Sequence, residues 1–94
     1  MEIVDLVILP EILDKLRWKH NVAEAEVRQV FLDTPRYRQI EKGRVQGEHL
    51  YLALGSTESG RYLSVFFVYK KNKIALIVTA RDMTENERRR YGRK

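Results

Sequence analysis

The spacing of the hydrophobic residues changes at Pro35, about a third of the way along this 94-residue chain. Before Pro35, apolar residues recur every three or four positions, which is the spacing that buries one face of an α-helix. After Pro35 they alternate with other side chains, as in residues 50–55, which is the spacing of a β-strand. The sequence therefore predicts an α+β fold, with helices first and a mainly antiparallel, twisted sheet after them.

Two helices are predicted in the N-terminal third of the chain. The first begins at Pro10, because a proline loses no hydrogen bond at the start of a helix. It ends at Asn21, a residue that tolerates the left-handed backbone of a helix C-cap. The second helix begins after Ala23, with Glu26 at the capping-box position, and residues 33–35 end it.

The sheet is predicted to have about four antiparallel strands. Two of them form a hairpin, because residues 71–72 make a short polar turn between two apolar runs. The first of the four is polar, which is typical of a strand at the edge of a sheet. The four predicted strands are residues 36–44, 50–55, 61–69 and 73–81.

Both ends of the chain carry one further element. Residues 3–9 are apolar and β-branched, and they form either a first strand or a lead-in to the first helix. Thr84 and Glu87 have the spacing of a capping box, so a short basic helix is predicted to begin at Thr84. A single domain over residues 1–94 is expected, with one sheet face left to meet water, a partner or a substrate.

The charge of the chain indicates a polyanion as partner. There are 18 Lys and Arg residues against 13 Asp and Glu residues, a formal net charge of +5, and the excess lies in the second half. Without cysteine, a disulfide framework, a thiolate metal site and a cysteine nucleophile are excluded. No segment is apolar enough to span a membrane, so the cytoplasm is the expected location.

The remaining motifs for common enzyme chemistry do not occur in the sequence. His20 and His49 are the only histidines and lack metal-ligand spacing, so neither a metal nor another cofactor is expected. The glycines form no phosphate-binding loop and the serines no nucleophile elbow. RNA cleavage is different, because the 2′-hydroxyl of the substrate is the nucleophile. It needs only orientation, a proton acceptor, a proton donor and cations around the phosphate.

Arg61 and Arg81 are the first candidates for this chemistry. If the hairpin turns tightly at residues 71–72, Arg61 lies opposite Asp82 and beside Arg81, at one end of the sheet. Two guanidinium groups at that place would clamp a phosphate. Alternatively, each arginine only ends its strand, with Asp82 paired to Arg61.

The second candidate group is Lys19 and His20, at the end of the first helix. The helix dipole favours the protonated form of a histidine at this position. In the alternative interpretation, His20 caps its own helix while Trp18 packs in the core.

The third candidate group lies in the C-terminal helix. There Arg88 and Arg89 would follow a phosphate backbone, and Tyr91 would stack on a base or donate a proton. Alternatively, the helix is solvated and Tyr91 packs on the sheet.

Four short motifs occur in a characteristic order along the chain. They are Lys19-His20-Asn21-Val22, then Gly47-Glu48, then Tyr51-x-Ala53-x-Gly55-x-Thr57-x-x-Gly60-Arg61, then Ala80-Arg81-Asp82-Met83-Thr84-x-x-Glu87-Arg88-Arg89-x-Tyr91. In this order they resemble the BrnT family, the toxin halves of bacterial type II toxin–antitoxin pairs. The last motif is the most specific of the four.

This resemblance implies a RelE-like fold and metal-independent cleavage of RNA, which inhibits translation. It also implies a cognate antitoxin, usually of the ribbon-helix-helix type, a higher-order toxin–antitoxin complex, and RNA that is free or ribosome-associated. By the same resemblance, Arg61 and Arg81 stabilise the phosphate and Lys19 binds flanking RNA with the C-terminal helix. Either His20 or Glu48 takes the proton.

The chain departs from the family pattern in three places. The N-terminal Phe-x-Trp-Asp element is absent, Asn21 replaces a glycine, and Leu50 stands where an arginine usually follows the acidic residue. The last change removes a cation from the region of Glu48. A non-catalytic module of the same fold that binds RNA or a protein partner is therefore the alternative to an endoribonuclease.

Overall fold

The computed structural model of the protein describes residues 1–41 and 48–92, and it has the predicted α+β architecture. In chain order the elements are β1 (Asp5–Val7), α1 (Pro10–His20), α2 (Glu24–Leu32), β2 (Arg36–Glu41), β3 (Leu50–Ser56), β4 (Tyr62–Tyr69), β5 (Ile74–Asp82) and α3 (Glu85–Gly92). The strands form one sheet in the order β1-β5-β4-β3-β2. This arrangement is consistent with a RelE-like fold.

Among the described residues the sheet has five strands, which are the four predicted antiparallel strands and one more. Residues 3–9 do contribute a strand, β1, which runs parallel to β5. All other neighbouring strands are antiparallel, and the polar strand β2 lies at an edge as predicted. Positions 42–44 of that predicted strand, and Gly47 of the second motif, lie outside the described residues.

The start and end signals of α1 and α2 behave as predicted. Pro10 opens α1, and Asn21 ends it with a left-handed backbone at φ 54°. Ala23 precedes α2, and its N–H donates to the Glu26 carboxylate at 3.0 Å. Because alanine has no side-chain oxygen, only this half of the capping box forms.

The larger hydrophobic core lies between the sheet and the two N-terminal helices. Leu16 of α1 and Val27 and Val30 of α2 are fully buried against Val65 and Phe67 of β4. The helical residues recur at three- and four-residue spacing, and the strand residues alternate, so each element presents one apolar face to the core. The helices are thereby held on one face of the sheet.

The other sheet face is partly covered by α3. Leu52 and Leu54 of β3 and Met83 form a second cluster of buried residues, against which Phe66 and Tyr91 pack. The interpretation in which Tyr91 packs on the sheet is therefore confirmed. The final helix lies across the strands on the face opposite α1 and α2.

The hairpin of β4 and β5 has a register two residues away from the predicted one. Lys73 takes a left-handed backbone at φ 65°, and Lys70 bonds to Ile74, which lengthens the turn by one residue. A β-bulge adds the second residue, because Val78 is left without a partner between the two paired stretches. The predicted turn at residues 71–72 is present, because the Lys73 N–H donates to the Lys70 carbonyl at 3.0 Å, but the register inferred from it is wrong.

This change of register decides where the two predicted arginines lie. Leu63, and not Arg61, lies opposite Asp82, and Arg81 lies opposite Ser64. The bulge also reverses the alternation of side chains along β5. As a result, Arg81 faces α3 instead of α1 and α2.

Candidate functional site

The predicted site residues occupy three separate places in the structure. We call the first the junction cluster, which comprises Lys19, His20 and Arg61 beside the loop between α1 and α2. The second is the α3 cluster, which comprises Arg81, Arg88, Arg89 and Tyr91. Glu48 is in neither cluster, because it lies at the opposite end of the sheet.

Arg61 is the centre of the junction cluster. Its Nε–H donates to the Asp82 carboxylate at 2.7 Å, and Nη1 donates to the Asn21 carbonyl at 2.6 Å and to Glu26 at 3.2 Å. Its Nη2 donates to the His20 carbonyl at 3.1 Å. The guanidinium therefore joins the C-terminal end of α1, where the helix dipole favours a cation, to α2 and to β5.

These bonds leave Arg61 little capacity for a ligand. Only one N–H, on Nη2, has no partner in the described part of the chain, and the side chain is 23% exposed. The hydrogen bond to Asp82 raises the pKa of Arg61 and lowers the pKa of Asp82. An electrostatic interaction with His20 contributes to the lowered pKa of Asp82, so His20 belongs to the same electrostatic group.

Arg81 is held differently, by a bidentate ion pair with Glu87. Nη1 and Nη2 donate to the two carboxylate oxygens at 2.7 and 3.0 Å, and Nη1 also donates to the Asp82 carbonyl at 3.1 Å. One face of the guanidinium lies over the Phe66 ring, 5.2 Å from its centre. Nε–H and the second N–H of Nη2 have no partner among the described residues. These two donors share one edge of the planar group, which is the geometry that binds phosphate.

Glu87 fastens Arg81 and α3 to the sheet. Its carboxylate also accepts from the Ser64 hydroxyl and from the Thr84 N–H, each at 2.8 Å, and its own N–H donates to the Thr84 hydroxyl. The predicted capping box is thus confirmed. Burial opposes ionisation, but the hydrogen bonds from Arg81, Thr84 and Ser64 outweigh it and lower the pKa of Glu87 to about 2.

Asp82 connects the two arginines from opposite sides of the sheet. Its carboxylate binds Arg61, and its carbonyl binds Arg81. The predicted pairing of Arg61 with Asp82 is therefore present, although through the side chain and not through opposite positions in the strands. A clamp of both guanidiniums on one phosphate is not formed, because the bulge turns Arg81 to the α3 face.

Tyr62 is an aromatic residue of the α3 face that the sequence analysis did not select. Its ring meets Tyr91 edge to face at 5.9 Å, and the Arg88 guanidinium lies 4.5 Å from the ring centre. Tyr62 is 39% exposed. In the sequence, only the position of Tyr62 directly after Arg61 indicates this placement. Successive side chains of a strand lie on opposite faces of the sheet, so Tyr62 lies on the face that Arg61 does not occupy.

The other residues named in the sequence analysis lie in different surroundings from one another. Trp18 is 76% exposed, so the interpretation in which it packs in the core is wrong. Lys19 is exposed beside it. Glu48 pairs with Lys70 at 2.6 Å, beside the turn of the hairpin. The eight residues of β4 separate that turn from the Arg61 end of the sheet by roughly 25 Å.

Two further features concern residues 1–41 and 48–92 of the chain. Within these ranges, no group of three or more His, Cys, Asp or Glu side chains is arranged to hold a metal ion. In the same part of the chain, no helix is long and apolar enough to cross a membrane.

A comparison with protein families matches residues 14–87 to a family described as the ribonuclease toxin BrnT of type II toxin–antitoxin systems. The match covers more than three quarters of the chain and includes Arg61, Arg81 and Glu87. No curated protein matches the chain. The resemblance found in the sequence is confirmed. The chain belongs to the BrnT family of ribonuclease toxins, a membership that implies ribonuclease activity and a cognate antitoxin.

Proposed function

We propose that this chain is a metal-independent endoribonuclease that cleaves RNA through the 2′-hydroxyl and so inhibits translation. The observation that carries the proposal is the unpartnered edge of the Arg81 guanidinium, with Nε–H and one Nη2–H side by side. In this reaction the 2′-hydroxyl loses its proton and its oxygen attacks phosphorus, the bond from phosphorus to the 5′-oxygen breaks, and the leaving 5′-oxygen takes a proton from water. The products are a 2′,3′-cyclic phosphate and a 5′-hydroxyl.

Arg81 is proposed to stabilise the charge that builds on the phosphate oxygens. Donors that are fixed before the reaction stabilise such charge most, because they need no reorganisation. Glu87 fixes the far edge of the guanidinium and Phe66 fixes one face of it, so the free edge points in one direction. A single hydrogen-bonded arginine of this kind is worth about 10²- to 10³-fold in rate.

His20 is proposed to accept the proton of the 2′-hydroxyl, in preference to Glu48. The reason is position, because His20 ends α1 beside Arg61 and so lies at the sheet end of Asp82 and Arg81, whereas Glu48 pairs with Lys70 at the far end of the sheet. Glu87 is a poor alternative base, because a pKa of about 2 gives its carboxylate little affinity for a proton and its oxygens are already engaged.

The strand ends at Asp82 are proposed to be the path of the RNA. Arg61 and Arg81 lie on opposite faces there, so they would contact neighbouring phosphates of one strand instead of a single phosphate. Lys19 would extend the contact on the α1 side, and Arg88, Arg89 and Tyr91 would extend it along α3. Several guanidinium and ammonium groups in a row are the usual electrostatic support for a single strand.

The proposed partner is an antitoxin with a ribbon-helix-helix part that covers this basic surface, in a higher-order complex. The net charge of +5 supports an acidic contact segment in that partner. The site of action would be the cytoplasm, on free or ribosome-bound RNA. Co-expression with the neighbouring open reading frame, followed by purification of the complex at two salt concentrations, would test how much charge contributes to binding of the antitoxin.

The proposed activity is tested by growth of bacteria after induced expression, with total RNA extracted from each culture. Wild type should arrest growth and yield cleaved transcripts, and Arg81→Ala should do neither while remaining folded by circular dichroism. Arg28→Ala is the matched control, because Arg28 is also an exposed, paired arginine but lies beside Glu24 and Asp5. Arrest with Arg81→Ala equal to that of wild type would contradict the assignment.

A non-catalytic RNA-binding module is the second candidate function. The observation in its favour is that protein acceptors already occupy most donors of both arginines. Such a module would bind RNA with strong salt dependence and return it uncut. Growth arrest with fully intact RNA would favour it.

A further inference from the structure

A groove runs beside α3, at the end of the sheet where β3 ends and β4 begins. We call it the α3 groove. It has a volume of about 790 Å³, which is within the range of pockets that hold a small organic molecule. Its principal lining residues are Asp33, Arg36, Ser56, Tyr62, Arg88 and Tyr91.

The floor of the groove is a row of weakly engaged oxygen atoms. The Ser56 hydroxyl lies 3.4 Å from the Asp33 carboxylate and 3.4 Å from the Tyr91 hydroxyl. Both distances are long for hydrogen bonds between oxygens, which are usually about 2.7 Å. The Asp33 carboxylate therefore keeps most of its capacity to accept hydrogen bonds from a ligand.

The wall of the groove is aromatic. Tyr62 is 39% exposed, Tyr91 meets it edge to face, and Arg88 lies over its ring. Tyrosine rings and arginine planes are the surfaces on which proteins stack unpaired nucleobases. A stacked base would lie in the same groove as the Asp33 carboxylate.

The rim of the groove is basic. Arg36, Arg88 and Arg89 line it, against the carboxylates of Asp33 and Glu85. Arg36 donates to the Arg90 carbonyl and Arg89 bonds to Asn86, so these side chains are held against α3. A phosphodiester backbone that lies along the groove would therefore contact cationic side chains at its rim.

We propose that the α3 groove binds one unpaired nucleobase of the RNA strand, stacked on Tyr62 and recognised by the carboxylate of Asp33, and that guanine is the preferred base. Guanine has two adjacent donors on its Watson–Crick edge, N1–H and the 2-amino group. These match the two oxygens of a carboxylate, whereas adenine and cytosine offer one amino group and uracil one imide N–H. The inference rests on the proposed function, because the base belongs to the bound RNA.

The groove would thereby determine which sequence is cleaved. The helix that carries Arg88 and Tyr91 also carries Glu87, which holds Arg81. A base fixed in the groove therefore places its strand in a defined position relative to the phosphate-binding edge of Arg81. This gives Asp33, Ser56 and Tyr62 a role in specificity and not in bond cleavage.

The test is binding of short uridine-rich oligonucleotides that carry a single central G, A or C. Each is made with 2′-O-methyl groups, so that it cannot be cut through the 2′-oxygen. With the full chain, the G oligonucleotide should bind about tenfold more tightly than the A or C versions. Asp33→Asn should reduce this preference to less than threefold, whereas Asp14→Asn, on the exposed side of α1, should leave it unchanged.

Stacking is tested by two variants of one residue. Tyr62→Ala should weaken binding of all three oligonucleotides by about tenfold, and Tyr62→Phe should restore it, because the ring and not the hydroxyl stacks. Thermal unfolding shows that each variant is folded. Guanosine monophosphate that binds as tightly as the G oligonucleotide would overturn the RNA assignment in favour of a free-nucleotide site.

The outcomes for the groove and for the proposed activity are separable. Equal binding of the G, A and C oligonucleotides by wild type, with natural RNA still cleaved, would overturn the groove assignment and leave the nuclease. If wild type prefers guanine and Asp33→Asn does not, but wild type leaves natural RNA uncut, the groove assignment is supported and the nuclease assignment is contradicted. A preference unchanged in Asp33→Asn would also overturn the role of that carboxylate.

Discussion

Arg61 and Arg81 are the same residue type in two different electrostatic surroundings. Arg61 is surrounded by acceptors from three elements, and Arg81 keeps one edge unpartnered within the described part of the chain. Donor counting therefore separates Arg61, which mainly holds the fold together and keeps one donor for a phosphate, from Arg81, which offers a substrate a two-donor edge. The sequence singles out both arginines but contains nothing that distinguishes them.

The first prediction concerns this difference. Arg61→Ala should lower the free energy of unfolding by about 2 kcal/mol, because it leaves Glu26, Asp82 and two helix-end carbonyls without their donor. Urea unfolding followed by circular dichroism measures this loss. Arg61→Lys is the matched variant and should recover only part of it, since an ammonium cannot reach all four acceptors. A fully stable Arg61→Ala protein would contradict the bracing role.

The second prediction concerns the close approach of α2 to β3. A Cβ at Gly55 would lie 2.8 Å from the Val30 side chain and 3.2 Å from the Val30 carbonyl, so Gly55→Ala should cost about 1–3 kcal/mol. Gly92→Ala, where a Cβ meets nothing within 4 Å, is the control and should be neutral or slightly stabilising. Thermal unfolding compares the two. Equal melting temperatures of Gly55→Ala and Gly92→Ala would show that α2 can move away from β3 without cost.

The helices are the elements that follow most directly from the sequence. Pro10, Asn21 and the pair Thr84 and Glu87 mark helix ends through local chemistry, and each acts in the structure as the local rule requires. The bulge at Val78 could not be predicted, because residues on both faces of β5 are apolar and either alternation fits. The strand β1 has three residues, too few for periodicity to separate strand from helix lead-in.

The third prediction concerns the attachment of α3 to the sheet. Because the pKa of Glu87 is about 2 in the folded chain against 4.5 as its ordinary value, its charge stabilises the fold above pH 4.5. This contribution, of about 3 kcal/mol, should be lost as the pH falls from about 5 to about 2.

Urea unfolding at pH 7 and at pH 3 measures this loss. Glu87→Gln should be less stable than wild type at pH 7 and close to it at the acidic end of the range. Asp14→Asn serves as the control, because it removes an exposed carboxylate from α1. The same acid sensitivity in wild type and Glu87→Gln would show that other carboxyl groups cause it.

For the whole molecule, the sequence singles out three candidate groups but does not show how they lie relative to one another. In the structure, Lys19 and His20 lie near Arg61, because the loop between α1 and α2 meets the start of β4. Glu48 lies beside Lys70 instead, because the direction and length of the hairpin bring that lysine to it. Tertiary contacts of this kind arise from packing between distant segments and have no local signal.

The fourth prediction concerns the summed charge of the RNA surface. With about four phosphate contacts to a single strand, the logarithm of the binding constant should fall with the logarithm of salt concentration with a slope of roughly −3. Arg88→Ala and Arg89→Ala should each reduce the slope by about 0.7. Fluorescence anisotropy with 2′-O-methyl RNA measures it, with Arg28→Ala as control. A slope unchanged in both variants would place the RNA elsewhere, and a slope near zero would contradict phosphate binding altogether.

The most direct test of the nuclease assignment is cleavage of end-labelled RNA by the purified chain in the presence of EDTA. We expect wild type to produce fragments with a 2′,3′-cyclic phosphate, at a rate at least about 100-fold above that of Arg81→Ala. A single 2′-deoxy substitution at the cut site should block cleavage at that position. Cleavage by Arg81→Ala at the wild-type rate, or cleavage at the deoxy position, would contradict the roles proposed for Arg81 and the 2′-hydroxyl.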